Sequence, residues 1–177
     1  SDTMVNYRRE YKLGSTVFLT PTLKNRQSDW LSRYIDELKH AIKTTRQRLP
    51  FELIAICVLP EHLHMVIALP PNDGNFSHRI RLMKSLFSQQ VAKKLALRPN
   101  KRGEYEIWQR RFWEHTIRDD IDLQRCVDYV HFNPVKHGLV AQVKDWPFSS
   151  FHREVKEGRL AENWGGESVK TIGDWGE

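Results

Sequence analysis

The chain has 177 residues, of which 40% are hydrophobic, so it can bury one ordinary core and is not an intrinsically disordered protein. Its net charge of +6 points only weakly to a polyanionic partner, because many basic proteins bind nothing acidic. No apolar run approaches the roughly 20 residues needed to cross a bilayer, and the polar, basic start shows no signal peptide, so we expect a cytosolic protein.

The first half of the chain predicts a strand, a helix and two further strands. Residues 15–20 are rich in β-branched and aromatic types, which indicates a strand. From Ser28, a residue type that caps helices, apolar residues recur every three or four positions until Pro50, which indicates a helix. Two apolar runs follow, 52–59 and 62–69, and the two residues between them predict a hairpin.

The second half predicts a helix, a strand and a last helix. An amphipathic pattern over 76–98 indicates a helix, and residues 110–117 indicate a fourth strand. The last helix begins at Asp119 or Asp120, and Pro134 limits its C-terminal end. Its inward-facing residues are Leu123, Cys126, Val127 and Val130.

This element order predicts an α+β fold with a ferredoxin-like antiparallel sheet, ordered strand-helix-strand-strand-helix-strand, and an added C-terminal helix and tail. Two helices pack on one face of the sheet, and the third strand lies in its interior. We expect residues 1–140 to form the main domain and residues 141–177 to form a tail that packs on it. Both cysteines, Cys57 and Cys126, lie in apolar stretches without a Cys-x-x-Cys pattern, so we expect reduced core thiols.

Positive charge is concentrated between Arg79 and Arg118. This segment holds eleven Lys or Arg against three Glu, a net charge of +8, while the rest of the chain carries −2. A solvated helix face with a basic loop would give the same count. Five aromatic residues are interleaved with the cations, however, and that combination favours a nucleic-acid partner.

His62-Leu63-His64 opens the third predicted strand. Side chains two residues apart on a strand project to the same face, about 6 to 7 Å apart, so two imidazoles can converge on one metal ion. The chain has eight histidines, so the pattern alone is a weak signal. A hydrogen-bonded pair of histidines at a strand end is the alternative.

The last predicted helix carries Tyr129 and Asn133 one turn apart on one face. That face lies roughly opposite Val127 and Val130, so Tyr129 need not be a core residue. A helical tyrosine usually serves packing. The amide oxygen one turn further on, where Pro134 disrupts the helix, could instead complete a metal site.

Five segments, in order and at the expected spacing, carry a family resemblance. They are NYRREY at 6–11, EHLHMVI at 61–67, QRRFWEHTIRDD at 109–120, YVHFNPVKHGL at 129–139 and WPFSSFHR at 146–153. With them the chain resembles the HUH single-strand endonucleases, and within these the REP-associated tyrosine transposases, where REP means repetitive extragenic palindrome. These are relatives of the single-tyrosine transposases of bacterial insertion sequences, and the resemblance implies the ferredoxin-like sheet. It also implies that residues 1–140 form the catalytic domain and that the tail, residues 141–177, packs on it or contacts DNA.

The resemblance also implies roles for single residues. His62 and His64 match the pair that binds a divalent metal, Mg²⁺ or Mn²⁺, and Tyr129 matches the nucleophile. Asn133 occupies the position of a polar third metal ligand. The residues that could compete for this third position are His115, His131 and His137.

The implied reaction is cleavage and rejoining of single-stranded DNA. A cation on a non-bridging phosphate oxygen lowers the barrier to attack on the anionic diester. In-line attack by Tyr129 yields a 5′-phosphotyrosine and a free 3′-hydroxyl, and the retained bond energy permits rejoining without a nucleotide cofactor. A free tyrosine has a pKa near 10, so either the field of the metal or a nearby base must help the phenol lose its proton.

Basic and aromatic side chains form the predicted DNA interface. Its members are Arg8, Arg9, Arg79, Arg81, Lys84, Lys93, Lys94, Arg110, Arg111, Trp113 and Lys136. The resemblance implies that Arg8 and Arg9 recognise a short guide sequence beside a hairpin, and a mobile basic end is the alternative. Arg110 and Arg111 should flank the site. Trp108, Phe112 and Trp113 offer stacking surfaces, although two of the three could be core residues.

The leading hypothesis is a metal-dependent transposase that cuts and rejoins single-stranded DNA near REP-like hairpins in the bacterial cytoplasm, on the nucleoid. The resemblance favours a monomer and leaves a dimer open. A hairpin-binding module without chemistry is the main alternative, but such modules place aromatic residues on their strands, and these strands are mostly aliphatic. A third alternative is a metal-dependent hydrolase that uses water and leaves Tyr129 structural.

Overall fold

Four strands form one antiparallel sheet in the computed structural model, which describes residues 15–166. The strands are β1 (Thr16–Thr20), β2 (Glu52–Val58), β3 (Leu63–Ala68) and β4 (Trp113–Thr116). Their order across the sheet is β2-β3-β1-β4, and every neighbouring pair is antiparallel. The predicted ferredoxin-like arrangement is confirmed, with β3 in the interior of the sheet.

Helices cover both faces of the sheet. The helices are α1 (Trp30–Arg33), α2 (Ile35–Arg48), α3 (Phe76–Leu95), α4 (Asp120–Lys136) and α5 (Phe151–Lys156). Helices α2 and α3 pack against each other on one face, and α4 packs on β2 and β3 from the other. A short 3₁₀ helix spans Val143–Asp145. Within residues 15–166, no helix has the length and apolar character that a bilayer crossing requires.

Alternation along the strands gives each sheet face its own buried core. Leu19 of β1 and Met65 of β3 belong to the core beneath α2 and α3, and neither is exposed. Phe18 and Val66 point the other way, into the core beneath α4. His64 is two residues before Val66, so the strand period brings its imidazole onto the α4 face.

The first predicted helix is divided in two. It begins at Trp30 rather than Ser28, and the Ser28 hydroxyl accepts a hydrogen bond of 3.1 Å from the Trp30 backbone N–H. Tyr34 leaves helical geometry, with φ −105° and ψ 43°, and separates α1 from α2.

The fourth strand is shorter than the predicted 110–117. Its register pairs Trp113 with Thr20, so the next pair would place Phe112 opposite Pro21. Proline has no N–H to donate to a ladder, and regular pairing stops there. Arg110 and Arg111 therefore lie before the strand.

Helix α4 continues through Pro134 to Lys136, so the prediction that Pro134 limits the helix is wrong. Because Pro134 has no N–H, the helix lacks one backbone hydrogen bond there, but the helical turn around it is kept. The helix ends at Lys136, and Gly138, whose φ is 71°, closes the turn that follows. The Gly138 N–H donates to the Val135 carbonyl at 2.9 Å and the Leu139 N–H to the Pro134 carbonyl at 3.0 Å, which is a Schellman motif.

Residues from the predicted tail cover the outer edge of β2. The Val58 N–H donates to the Phe148 carbonyl at 2.8 Å, and the Ser150 N–H donates to the Ile56 carbonyl at 2.9 Å. The Trp146 indole adds a hydrogen bond of 2.9 Å to the Val58 carbonyl. This edge of the sheet is therefore partly paired, which protects it from other chains. Residues 167–177 of the tail lie outside the described residues.

The end of α4 gives the first testable prediction. A Cβ added at Gly138 meets nothing within 4 Å, so Gly138→Ala tests the left-handed backbone alone. We expect it to lower the free energy of unfolding by about 1 kcal/mol in urea denaturation. Gly74 is the matched control, because its added Cβ also meets nothing within 4 Å and its φ is not left-handed. Equal stability of Gly138→Ala and Gly74→Ala would contradict the assignment.

Candidate active site

The two histidines at the start of β3 are neighbours on the α4 face. His62 is 1% exposed and His64 is fully buried. Their ring centroids are 4.9 Å apart, and the rings are nearly perpendicular. Two imidazoles thus converge on one point at the edge of the core, as the strand period requires.

Each imidazole is held from behind through Nδ1. His62 Nδ1 lies 2.6 Å from a Glu61 carboxylate oxygen, and His64 Nδ1 lies 2.8 Å from the Thr20 hydroxyl. Burial raises the pKa of Glu61, but its contacts with His62 and Arg26 outweigh this and hold the pKa below the usual range. With Nδ1 engaged, Nε2 is the nitrogen through which each ring would bind a metal. Outer partners of this kind orient metal-binding histidines.

Burial keeps His64 neutral. It lowers the pKa of His64 well below the usual range, and the neighbouring His62, His137 and Lys136 side chains add to the effect, in that order. A hydrogen bond with the Asn133 side chain acts in the opposite direction but is the weaker influence. Metal ions bind the neutral imidazole, so this electrostatic environment suits a metal ligand.

Tyr129 of α4 lies against the histidines. Its ring centroid is 5.3 Å from that of His64 and 5.9 Å from that of Phe18, both in edge-to-face contacts. The tyrosine is only 3% exposed, so it is a core residue, which the sequence had left open. Lys136 Nζ donates to the Tyr129 hydroxyl at 3.2 Å and lies 4.8 Å from the ring centroid.

Two candidates for the third metal ligand lie beside the pair. Asn133 is fully buried one turn after Tyr129, and its side chain bonds with His64. The His137 ring lies 5.2 Å from the His62 ring. Burial, then His62 and Lys136, lowers the pKa of His137 to about 4, so this ring is also neutral near pH 7.

The other two competing histidines are bound elsewhere. His131 is buried on another side of α4, where its Nε2 lies 2.8 Å from the Ser150 hydroxyl. His115 of β4 pairs with Asp122 near the start of α4, at 2.8 Å. The choice of a third ligand therefore narrows to Asn133 and His137.

His115 and Asp122 form a second group of potential metal ligands with Cys126, whose ligand atoms all lie within 4.8 Å of one another. The Asp122 carboxylate already accepts the Arg118 backbone N–H at 2.9 Å as well as the imidazole. Burial, then Asp122, raises the pKa of the Cys126 thiol, which stays protonated. A protonated thiol is a poor metal ligand, so the histidine pair with its neighbouring amide fits a divalent cation better. Cys126 and Cys57 are free thiols, as predicted.

Several predicted DNA-binding cations have structural partners. Arg79 is 3% exposed and donates to the Pro50 carbonyl at 2.8 Å and to Asp73 at 2.9 Å. It ties the loop before α3 to the end of α2, so its assignment to the DNA interface needs correction. Lys94 forms an ion pair with Glu37 near the C-terminal end of α3, away from the histidines. Its neighbour Lys93 lies at the same end.

Four other predicted cations lie together. Arg81 and Lys84 of α3 and Arg110 and Arg111 before β4 line one cavity of about 500 Å³. The cavity is on the α3 side of the sheet, so Arg110 and Arg111 do not lie beside the histidines as expected. Arg8 and Arg9 lie outside the described residues.

The three candidate stacking residues differ in exposure. Trp108 is 8% exposed and belongs to the core beneath α3, and Phe112 packs partly against the same core. Trp113 is 39% exposed. It stacks on His115, with ring centroids 5.9 Å apart, and touches Phe18 by its edge at 5.7 Å. Trp113 is therefore the one that offers an open ring on the α4 face.

Two positioning residues, Glu61 and Thr20, were missed in the sequence. Glu61 directly precedes the histidine pair, and an acid next to a candidate ligand is a signal that could have found it. Thr20 is 44 residues from its partner His64. Only the register of β1 against β3 brings the two together.

The chain is similar to known transposases over nearly its whole length. A family model described as "Transposase IS200 like" matches residues 15–133. A Haemophilus influenzae protein with the provisional name REP-associated tyrosine transposase is 47% identical over 175 residues, covering 97% of this chain and 99% of its own. The Escherichia coli K12 REP-associated tyrosine transposase is 44% identical over 164 residues, 93% of each chain. A solved REP-associated tyrosine transposase bound to a REP hairpin has a TM-score of 0.81 at 43% identity, covering 97% of this chain and 96% of that one.

The histidine pair should be the stronger metal site. We expect His62→Ala and His64→Ala each to abolish Mn²⁺ binding in titration calorimetry, because two ligands of a small site cannot be spared. His115→Ala is the matched control and should bind Mn²⁺ as the unaltered protein does. Loss of binding in His115→Ala, with binding retained in His62→Ala, would place the metal at the other group.

Asp128 gives a pH-dependent prediction. Burial raises its pKa to about 6, although a hydrogen bond from the Gln124 amide lowers it. The pKa of Asp128 in the folded protein thus lies above the unfolded value of about 3.9. The protonated carboxyl group therefore contributes fully to stability below pH 4, and this contribution is lost as the pH rises through 6. We expect Asp128→Asn to leave stability unchanged at pH 4 and to raise it by on the order of 2 kcal/mol at pH 7.5.

The measurement is urea unfolding of Asp128→Asn at both pH values. Asp145→Asn, at an exposed position, is the control and should show no gain that grows with pH. A constant difference between Asp128→Asn and the unaltered protein from pH 4 to 7.5 would contradict a buried, perturbed carboxyl group.

Proposed function

Because the chain belongs to the REP-associated tyrosine transposases of the IS200-like family, we propose that it cleaves and rejoins single-stranded DNA beside REP-like hairpins, with Tyr129 as nucleophile. One observation carries the proposal: the Tyr129 ring lies 5.3 Å from the His64 ring, on the face of the sheet that also holds His62. A phenol, two imidazoles and a lysine side chain meet there.

The chemical step uses the phenol oxygen. The Tyr129 oxygen attacks the phosphorus of a DNA phosphodiester, a new O–P bond forms, and the bond from phosphorus to the 3′ oxygen breaks. The phenol gives up its proton and the leaving 3′ oxygen takes one up, so a free 3′-hydroxyl and a 5′-phosphotyrosine result. Charge and bond count balance without a nucleotide cofactor, and the reverse step rejoins the strand.

Lys136 is suited to assist the phenol. Its ammonium group donates to the Tyr129 hydroxyl at 3.2 Å, which orients the oxygen and favours negative charge on it. The two residues are seven positions apart on α4, so they share a helix face. The same ammonium can attract the anionic phosphate to the nucleophile.

His62 and His64 would hold a divalent metal, Mg²⁺ or Mn²⁺, together with Asn133 or His137. When bound, such an ion supplies positive charge to the non-bridging phosphate oxygens. Glu61 holds the His62 ring through Nδ1, and Thr20 does the same for His64. The solved relative bound to a REP hairpin supports hairpin DNA as the substrate class.

The proposal predicts a covalent protein–DNA adduct. A labelled REP-like hairpin with single-stranded flanks, incubated with the protein and Mn²⁺, should give a shifted band on a denaturing gel. Tyr129→Phe should abolish the band, because only the phenol oxygen can form the bond. Tyr34→Phe, which removes a hydroxyl far along the chain between α1 and α2, is the matched control and should form the adduct normally.

Two other outcomes would each contradict the proposal. Cleavage without an adduct would mean that water is the nucleophile and that Tyr129 is structural. Tight hairpin binding without any cleavage would mean that the chain is a recognition module.

Lys136 gives a separate prediction on rate. Lys136→Met keeps the length and packing of the side chain and removes its charge, so we expect adduct formation at saturating DNA to slow by about tenfold or more. Lys136→Arg restores a charged donor and should recover part of the rate. An unchanged rate in Lys136→Met, measured by quenched time courses, would remove Lys136 from the reaction.

A further inference from the structure

A cationic cavity lies where α3 meets the segment before β4, on the sheet face opposite the histidines; we call it the β4-edge pocket. Its volume is about 500 Å³. Four of its lining residues are cations, Arg81, Lys84, Arg110 and Arg111, and one is an acid, Glu114. The positive charges therefore outnumber the negative ones.

In the described part of the chain, these four cations have no acidic partners. Within residues 15–166, none of them forms an ion pair, whereas Arg26 pairs with Glu61 and Arg33 pairs with Asp29 on the same molecule. Cations that converge without carboxylates repel one another, and an anion that enters between them relieves the repulsion. The charge distribution points to an anionic ligand.

Lys84 is built into the pocket rather than lying loosely on the surface. Its Nζ donates to the Gln109 carbonyl at 2.9 Å and lies 5.1 Å from the Phe112 ring and 5.9 Å from the Trp108 ring. Burial lowers the pKa of Lys84 to about 8, because removing the side chain from water disfavours its charged form. An ammonium has three N–H donors, and that carbonyl is its one acceptor in the described part of the chain. Two donors remain for a ligand.

The pocket and the proposed active site flank the same edge strand. In the β4 register Trp113 pairs with Thr20 and Glu114 with Leu19, so Trp113 and Glu114 point to opposite faces. Trp113 is exposed on the α4 face and touches Phe18, which in turn touches Tyr129. β4 is the last strand of the sheet. A DNA strand that is bound at Tyr129 and runs over Trp113 would pass round this edge into the pocket.

We propose that the β4-edge pocket binds the phosphodiester backbone of the single strand that flanks the hairpin. The inference rests on the proposed action on DNA and adds a second anchor, on the far face of the sheet from the cleavage chemistry. Guanidinium and ammonium groups are the usual partners of phosphate. The DNA strand would thus be held on both faces of the sheet at its β4 edge, with Trp113 between the two contacts.

The test compares hairpins with and without single-stranded flanks by fluorescence anisotropy at several salt concentrations. Arg81→Gln/Lys84→Met should weaken binding of the flanked hairpin by roughly tenfold and reduce the slope of log affinity against log salt by about 1.4, since two phosphate contacts are lost. Binding of the blunt hairpin should hardly change, because the pocket contacts only the flank.

Two further variants make the result specific. Arg110→Gln/Arg111→Gln removes two exposed arginines of the pocket and leaves the packed Lys84 in place. It should weaken binding of the flanked hairpin as the first variant does, without a change in the packing around Lys84. Lys39→Met/Arg48→Gln removes equal charge from exposed positions on α2 and should leave affinity unchanged. Equal affinities and salt slopes for pocket and control variants would overturn the proposal, and so would an equal loss on the blunt hairpin.

Failure of the pocket and failure of the proposed function are distinguishable. Adduct formation by the unaltered protein reports the nuclease, and flank-dependent binding by the variants reports the pocket. A protein that forms no adduct but loses flank binding in Arg110→Gln/Arg111→Gln would keep the pocket and lose the nuclease.

Discussion

The contact between α4 and the histidine-bearing face of the sheet is the constraint on which the site depends. Tyr129 packs edge-on against both His64 and Phe18, and all three side chains are at most 3% exposed. Dense packing of this kind leaves little freedom in the position of the phenol. The proposed nucleophile is thus positioned by the core itself, and the interactions that stabilise the fold would also set the geometry of the proposed reaction.

Burial also determines the charge states in the site. It lowers the pKa of both His64 and His137, so the imidazoles are neutral where a metal would bind. Lys136 and the pair formed by Glu61 and Arg26 supply fixed charges at its border. Positive charge is therefore kept beside the phenol, and His64 and His137 keep the protonation state that metal coordination would need. Outside this centre, four cations that form no ion pair within residues 15–166 line the β4-edge pocket.

Periodicity in the sequence predicted most of the architecture, and the family resemblance identified the candidate catalytic and metal-binding residues. The alternation of 52–59 and 62–69 gave β2 and β3, and the same alternation placed His62 and His64 on one face. Helical spacing put Tyr129 and Asn133 on one face of α4 but left open whether that face was buried. Tyr129 belongs to the same buried cluster as Val127 and Val130, so α4 is buried on more than one side.

What the sequence could not supply are contacts made across long separations. The bond between Thr20 and His64 depends on strand register, and the internal hydrogen bonds of Arg79 depend on how the loop before α3 folds. Proline is likewise ambiguous from sequence. Pro21 ends regular pairing of β1 with β4, whereas Pro134 is absorbed into α4, because a nearby Schellman motif at Gly138 ends that helix instead.

The most direct test of the account is to locate the DNA bond by mass spectrometry. Trypsin should release Cys126–Lys136 as a peptide with a single tyrosine. After reaction with a hairpin and nuclease trimming, the account predicts a 5′-phosphonucleotide on Tyr129 in that peptide. A nucleotide on any other residue, or cut DNA with this peptide unmodified, would contradict it.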